Sequence, residues 1–223
     1  MNEYWKNDNI IGIGAGIGSS PKSFGKNLII GANDSFLYSI NPKNGEIVWK
    51  FKTNGIVYST PVVDDGIAYF GSGDGFLYAI DKKGSMKWRF NSSGRIMSSP
   101  VLGKDIIAFG NDEGTFFVLD KHGNILWKHQ TGAAIRTTSS LVNDRIIFGS
   151  HDSFLYCFDY EGKQQWKFQT GGPMWTCPCI VDDDGALLWS VSNQNIGKSS
   201  NYKIYFGSFD GGMYCLNSIS EGN

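Results

Sequence analysis

Four tryptophans divide most of the chain into equal lengths. Trp49, Trp88, Trp127 and Trp166 follow one another at intervals of 39 residues. A fixed period of this length is typical of tandem structural repeats, in which each repeat forms one supersecondary unit. The chain is therefore expected to fold as an array of similar units.

The residues between the tryptophans repeat as well. Four stretches share a pattern close to GSxDGFLYxIDxxGxxxWKFxTxGxxxSSPVVxDxIIYF, and they begin at Gly31, Gly71, Gly110 and Gly149. The second stretch contains four short runs, FLYAID, MKWRF, SSPVL and IIAFG. Apolar and polar residues alternate within such runs, which predicts β-strands, and pairs such as Asp74-Gly75 predict tight turns between them.

Four strands in about 40 residues is the size of one blade of a β-propeller. The sequence therefore predicts an all-β chain that forms a single β-propeller domain over residues 1–223, built of four-stranded antiparallel blades. Five blades are expected, at residues 19–53, 58–92, 97–131, 136–170 and 175–217.

The two ends of the chain carry partial repeats. Residues 207–217 supply only the beginning of the pattern, whereas Trp5 and the residues after it supply the later part. We therefore expect a strand within residues 3–8 to pair with residues 212–216 and complete the fifth blade, which would remove a free sheet edge. The alternative is that the chain is a piece of a larger ring.

Charge and hydropathy narrow the classes of partner. The net charge is −1, from 20 basic and 21 acidic residues that are interspersed, so no nucleic-acid footprint is expected. No segment approaches the roughly 20 apolar residues that cross a bilayer, and the first ten residues lack the positive region of a secretory signal. These features of the chain as given slightly favour a cytoplasmic location, and a location outside the cytoplasm stays open.

The segments INPKNGEIVWKFKTNG and FDYEGKQQWKFQTGG, each followed by Ser-Ser-Pro or a near variant, resemble the PQQ-like propeller repeats of quinoprotein dehydrogenases and their non-enzymatic relatives. The resemblance covers almost the whole chain. It implies the propeller fold but leaves the function open, because the family includes dehydrogenases, an outer-membrane assembly scaffold and sensor domains.

The dehydrogenase members of this family hold pyrroloquinoline quinone above a calcium ion, often beside a disulfide between adjacent cysteines. Here Cys177 and Cys179 are separated by Pro178, and no residues match the calcium ligands. The cysteines stand at small-residue positions of the repeat, and no CxxC pair supports a zinc site. We therefore expect neither a cofactor nor a metal.

One repeat position changes its chemistry from blade to blade. It is occupied by Tyr58, Met97, Arg136 and Trp175, at a constant spacing of 39, with Gly18 as the fifth equivalent. Positions that only build a fold tend to keep one residue type, whereas a varied position on a shared scaffold can form an asymmetric pocket. These four residues are the predicted ligand-binding site, at one mouth of the central channel.

Two segments fall outside the regular repeat. The glycine-rich run at residues 12–18 is predicted to be a flexible link, because a nucleotide-binding loop would need a strand before it and a helix after it. Residues 185–201 are an insertion in the last repeat, which could form a mobile loop or a strand extension packed on the blade.

These observations favour a non-catalytic scaffold that binds a protein, a peptide or a small ligand on one face, and a monomer is expected. The alternatives are a quinoprotein-type oxidoreductase domain and a carbohydrate-binding propeller. Catalysis would require convergent titratable groups, and a lectin would repeat the same polar and aromatic residues in every blade. The varied position supports neither, so the chain is not expected to be an enzyme.

Overall fold

The computed structural model describes residues 16–184, 186–189 and 201–217. Within these ranges all regular structure is β-strand, arranged as five antiparallel sheets of four strands. The predicted all-β architecture of four-stranded sheets is confirmed. None of the described residues forms a helix long and apolar enough to cross a membrane. The chain divides into two compact units, with the boundary between Pro100 and Val101.

The first unit contains two sheets, and in each the strands pair in chain order. The first sheet consists of β1 (Lys22–Phe24), β2 (Asn27–Gly31), β3 (Phe36–Ile40) and β4 (Ile47–Lys52). The second consists of β5 (Val62–Asp64), β6 (Ile67–Gly71), β7 (Phe76–Asp81) and β8 (Met86–Asn91).

The second unit contains three sheets. The third sheet consists of β9 (Val101–Leu102), β10 (Ile106–Gly110), β11 (Thr115–Asp120) and β12 (Ile125–Gln130). The fourth consists of β13 (Ser140–Val142), β14 (Arg145–Gly149), β15 (Phe154–Asp159) and β16 (Gln164–Gln169). The fifth consists of β17 (Cys179–Asp182), β18 (Leu187–Trp189), β19 (Tyr202–Gly207) and β20 (Met213–Asn217).

The turns between second and third strands follow the predicted Asp-Gly chemistry. Gly75 has φ = 87°, a left-handed conformation that glycine adopts at little cost. The Asp74 carboxylate accepts a hydrogen bond of 3.1 Å from the backbone N–H of Phe76 and closes the turn. The Asp210 carboxylate accepts one of 2.7 Å from the N–H of Gly212 in the same way.

The repeated tryptophans join neighbouring sheets within each unit. In the first unit, the indole N–H of Trp49 donates to the carbonyl of Lys82 at 3.0 Å. In the second, Trp127 donates to the carbonyl of Tyr160 at 2.8 Å. The ring of Trp127 lies so close to Gly162 that a Cβ there would be 2.7 Å from it. Trp49 and Trp127 therefore act as packing residues between blades, with the indole nitrogen satisfied.

The fifth sheet departs from the other four. Its strand order is β18-β17-β19-β20, so β18 lies on the edge of β17 that is free in the equivalent strands. The strands β17, β19 and β20 correspond to the first three strands of a regular repeat, and β18 is additional. It comes from the start of the insertion at residues 185–201, and this part of the insertion is therefore a strand extension. Residues 190–200 lie outside the described part of the chain.

The outer strand of the fifth blade is not among the described residues. Residues 3–8, predicted to supply it, lie in the undescribed stretch before Gly16. Within the described ranges no strand pairs with the far edge of β20. Closure by the N-terminal segment therefore stays a prediction.

Candidate functional site

The four predicted site residues occupy equivalent places. Each lies a few residues before the first strand of its sheet, so that Tyr58 precedes β5, Met97 precedes β9, Arg136 precedes β13 and Trp175 precedes β17. Tyr58 and Trp175 are 47% and 46% exposed, Arg136 is exposed and Met97 is half-buried. Such large side chains at the surface are available for contact with another molecule.

The local chain explains why these side chains point outward. The residue before each is fully buried: Val57, Ile96, Ile135 and Met174. The residue after each is Ser or Thr, and in the fourth sheet the Thr137 hydroxyl donates to the carbonyl of Gly149 at 2.7 Å and accepts from its N–H at 3.1 Å. An anchored residue on either side leaves the middle one facing solvent.

The second unit brings Arg136 and Trp175 together. The Arg136 guanidinium donates from Nε and Nη2 to the two carboxylate oxygens of Asp112, at 2.8 and 3.0 Å. This pairing raises the pKa of Arg136. The same guanidinium lies 5.5 Å from the centre of the Trp175 ring, within the range of a cation–π interaction.

Two further rings complete the cluster. The Trp175 ring lies 4.1 Å from the His151 ring at an interplanar angle of 34°, and 5.6 Å from the Phe209 ring at 42°. Phe209 is 72% exposed. We call the set Asp112, Arg136, His151, Trp175 and Phe209 the Trp175 cluster.

His151 is a partly buried member of the Trp175 cluster. Its Nε2 atom is buried and has no hydrogen-bond partner among the described residues. Burial lowers the pKa of His151, and the nearby positive charge of Arg136 lowers it further. The imidazole is therefore neutral at neutral pH, which suits a ring packed beneath an indole.

Sequence reasoning missed Asp112, His151 and Phe209. They share a second varied repeat position, just after the glycine that ends the second strand, with Asn33 and Gly73 as its other occupants. Backbone hydrogen bonds tie this position to the first, because the N–H of His151 donates to the carbonyl of Ala134 at 2.9 Å. The missed signal was that this position also changes chemistry in every repeat.

The first unit presents a different arrangement. The ring of Tyr58 lies over Gly18, where a Cβ would be 2.3 Å from Tyr58 Cδ2, so the glycine is needed for this contact. Tyr58 and Met97 belong to this unit, whereas Arg136 and Trp175 belong to the other. That all four line one channel mouth stays a prediction. Of the predicted link at residues 12–18, only residues 16–18 are described.

The cysteines do not form the adjacent pair that often lies beside the quinone in the dehydrogenases. All four cysteines are free. Cys177 lies packed against the fourth sheet near Ser140, whereas Cys179 is exposed at the start of β17, so the two cannot form the disulfide between adjacent residues that the resemblance implies. Within the described ranges no three His, Cys, Asp or Glu residues cluster as metal ligands.

Repeated four-stranded antiparallel sheets, joined by tryptophans at one repeat position, define a β-propeller of the PQQ-like repeat type. The chain belongs to the family whose model is described as outer membrane protein assembly factor BamB, because that model matches residues 2–177. No curated protein matches the chain significantly.

Solved structures agree on the fold. The crystal structure of BamB from Moraxella catarrhalis is similar with a TM-score of 0.67 and 17% identity, over 92% of this chain and 59% of that one. Quinohemoprotein alcohol dehydrogenase from Comamonas testosteroni is similar with a TM-score of 0.72 and 16% identity, over 93% of this chain and 42% of that one. The chain thus spans less than two thirds of either structure, and the likeness concerns the fold.

Proposed function

We propose that the chain is a non-catalytic PQQ-like repeat scaffold and that the Trp175 cluster binds a protein or a peptide. The observation that carries this proposal is the pair of exposed rings, Trp175 and Phe209, tilted at 42° with centres 5.6 Å apart. Tryptophan and arginine are among the residues that contribute most to protein interfaces when a partner buries them.

The support beneath the rings favours a preorganised surface. Trp175 is packed on His151 from one side and on Arg136 from another, and Asp112 fixes Arg136. A side chain that is already held loses little conformational entropy when a partner binds. Because Asp112 takes two of the Arg136 donors, the cluster offers aromatic surface beside a neutralised ion pair. That composition suits an apolar or aromatic side chain of a peptide better than a small anion.

The same contacts argue against a catalytic role for the cluster. A general base must reach a substrate proton, and His151 Nε2 is buried while its ring is covered by Trp175. The Asp112 carboxylate is engaged by Arg136. Neither group is presented to a substrate in this arrangement, which supports a binding role.

Site-specific crosslinking tests the proposal. Phe209 is replaced by p-benzoylphenylalanine and the protein is irradiated in cells that express it. A matched probe at Leu126, which is 51% exposed on β12 of the same unit, reports non-specific contacts. We expect discrete crosslinked polypeptides at position 209 that are absent at position 126 and are lost when Trp175→Ala is added. Equal products at both positions would contradict the proposal.

A second measurement separates the rival functions. The purified chain is titrated with pyrroloquinoline quinone and calcium while tryptophan fluorescence is recorded. Saturable quenching that Arg136→Ala or Trp175→Ala weakens would favour a quinoprotein-type oxidoreductase domain. Saturable quenching by soluble oligosaccharides that the same two variants weaken would favour a carbohydrate-binding propeller. We expect neither ligand to bind.

A further inference from the structure

The indole of Trp175 differs from two of the repeated tryptophans in its hydrogen bonding. Trp49 and Trp127 each donate the indole N–H to a backbone carbonyl, at 3.0 and 2.8 Å. Trp175 is 46% exposed, and no described residue accepts a hydrogen bond from its Nε1 atom. A tryptophan nitrogen usually has an acceptor when its ring is buried. A partner that buries the Trp175 ring therefore has to supply one.

The Arg136 guanidinium contributes further donors beside this indole. Its Nε and Nη2 atoms donate to Asp112, and within the described part of the chain Nη1 has no acceptor. The Arg136 side chain is 37% exposed. A guanidinium carries five N–H donors in a planar fork, and the carboxylate of Asp112 takes two of them. Arg136 thus keeps donors for a partner while its charge is balanced.

The carboxylates near the cluster are already engaged. Both oxygens of Asp112 accept from Arg136. Asp152 and Asp210 each follow a ring of the cluster in the chain. Each of these two carboxylates accepts from two backbone N–H groups and from a tyrosine hydroxyl. These three side chains therefore have no oxygen that is without a donor.

Two backbone carbonyls beside the cluster are engaged as well. The Ala134 carbonyl accepts from the N–H of His151 at 2.9 Å, and the Pro173 carbonyl accepts from the N–H of Phe209 at 3.1 Å. The surface therefore combines aromatic rings with hydrogen-bond donors, while the carboxylates and carbonyls around them are occupied.

A surface with donors and occupied acceptors discriminates between partner chemistries. An ordinary extended peptide carries backbone N–H groups and a sugar carries O–H groups, and burying such a donor without an acceptor costs free energy. Proline has no backbone N–H but keeps its carbonyl. A proline-rich segment in the polyproline II conformation has no internal hydrogen bonds, so its carbonyls are available to accept.

We infer that the segment that docks on the Trp175 cluster is proline-rich and binds as a polyproline II helix. Its carbonyls accept from Trp175 Nε1 and Arg136 Nη1, and its pyrrolidine rings pack on Trp175 and Phe209. Phe209 is 72% exposed and inclined at 42° to the Trp175 ring, so a compact apolar ring can contact both. Aromatic-lined grooves recognise proline-rich segments in this way. The inference rests on the proposed peptide-binding function and specifies the partner.

An NMR titration with decaproline tests the inference. The whole chain is labelled with ¹⁵N, and the Trp175 indole signal is assigned by its disappearance in Trp175→Phe. We expect decaproline to move this indole proton signal downfield in a saturable manner, because the N–H gains a carbonyl acceptor. The indole signals of Trp49 and Trp127 should not move, since both groups already donate to carbonyls of the protein. A glycine–serine decapeptide, which retains its backbone N–H groups, should move none of the three.

Variants separate the donor from the rings, with affinities measured from the backbone amide signals of the cluster. Trp175→Phe keeps an aromatic ring without the N–H and should weaken decaproline binding about two- to tenfold, the range of one neutral hydrogen bond. Phe209→Ala removes an exposed ring and should weaken binding by about tenfold or more. Leu126→Ala, at a 51% exposed position on β12, should bind as the wild type does.

Two results would overturn the inference. One is the absence of a saturable shift of the Trp175 indole signal with decaproline, and the other is an equal shift with the glycine–serine peptide. If crosslinks at position 209 still depend on Trp175, such a result leaves the binding function in place and shows that its partner is of another class. If those crosslinks are also absent, the proposed function fails together with the inference.

Discussion

The indole of Trp175 covers the imidazole of His151, with 4.1 Å between the two ring centres. The pKa of His151 can be used to probe this contact, because it depends on the burial of the ring and on the charges beside it. Desolvation is the largest cause of its lowered pKa, followed by the positive charge of Arg136, while Asp112 acts in the opposite direction.

Removing the charge of Arg136 and removing the charge of Asp112 should therefore shift the pKa of His151 in opposite directions. Arg136→Gln is expected to raise the His151 pKa, because a neighbouring cation no longer disfavours the imidazolium. Asp112→Asn is expected to lower it. An NMR titration of the imidazole protons measures both, with Lys163→Gln as a control for a change of surface charge elsewhere in the unit. Shifts of the same sign in the two variants would contradict the geometry of the cluster.

Two histidines should make the stability of the fold depend on pH. Burial lowers the pKa of His129 and His151 below the ordinary value of 6.5, so the unfolded chain binds protons at a pH where the folded chain does not. Their contribution to stability is complete above pH 6.5 and is lost as the pH falls through 6.5 towards the folded values. The melting temperature should then fall by roughly 2 to 4 °C for each kcal/mol lost.

The test is thermal unfolding between pH 7.5 and 5 for the wild type and for the double variant His129→Gln, His151→Gln. The double variant should show a shallower decrease over this range. His122→Gln, at an exposed turn position, serves as the matched control and should keep the wild-type slope. If the three proteins lose stability in parallel, acid sensitivity has another origin.

Two equivalent glycines should respond differently to a methyl group. A Cβ at Gly110 would lie 2.2 Å from Ile135 Cγ2, so Gly110→Ala must displace a fully buried side chain. Overpacking of this kind costs about 1–3 kcal/mol in the free energy of unfolding. At Gly207, the same repeat position in the fifth sheet, the nearest atom is 3.4 Å away, and Gly207→Ala should cost much less. Equal losses in urea denaturation would show that the interface around Gly110 can relax.

The N-terminal segment offers a test of closure. Deleting residues 1–8 is expected to lower the melting temperature, because β20 would lose the predicted outer strand and leave an unpaired edge. Deleting residues 218–223 is the control for shortening the chain. A melting temperature unchanged by the N-terminal deletion would contradict the predicted pairing of residues 3–8 with residues 212–216.

The periodic part of the sequence was sufficient to predict the sheets. The 39-residue spacing of the tryptophans and the Asp-Gly turns gave the strands of sheets one to four, because each blade is determined by local alternation and turn chemistry. The fifth sheet was harder to predict. The hairpin after Asp182 turns to the opposite edge of β17, and the strand alternation of Leu187–Trp189 does not specify which edge a strand will join.

The candidate site was predicted in part. Arg136 and Trp175 were identified because their repeat position varies, and the structure places them side by side. Asp112 and His151 were missed, since their role depends on contacts between neighbouring sheets. Arg136 and Asp112, for example, are 24 residues apart along the chain. Spacing within a single repeat carries no information on such a contact.

The additional strand β18 has a consequence for how the chain finds its fold. Similar repeats can exchange strands during folding, so that a strand from one repeat completes the sheet of another. Such exchange is a characteristic failure of repeat proteins. β18 packs beside β13 and is the one described strand that has no equivalent in the other sheets. This packing distinguishes the interface between the fourth and fifth sheets from the other interfaces, and a chain that slipped by one repeat would leave β18 without β13 to pack against.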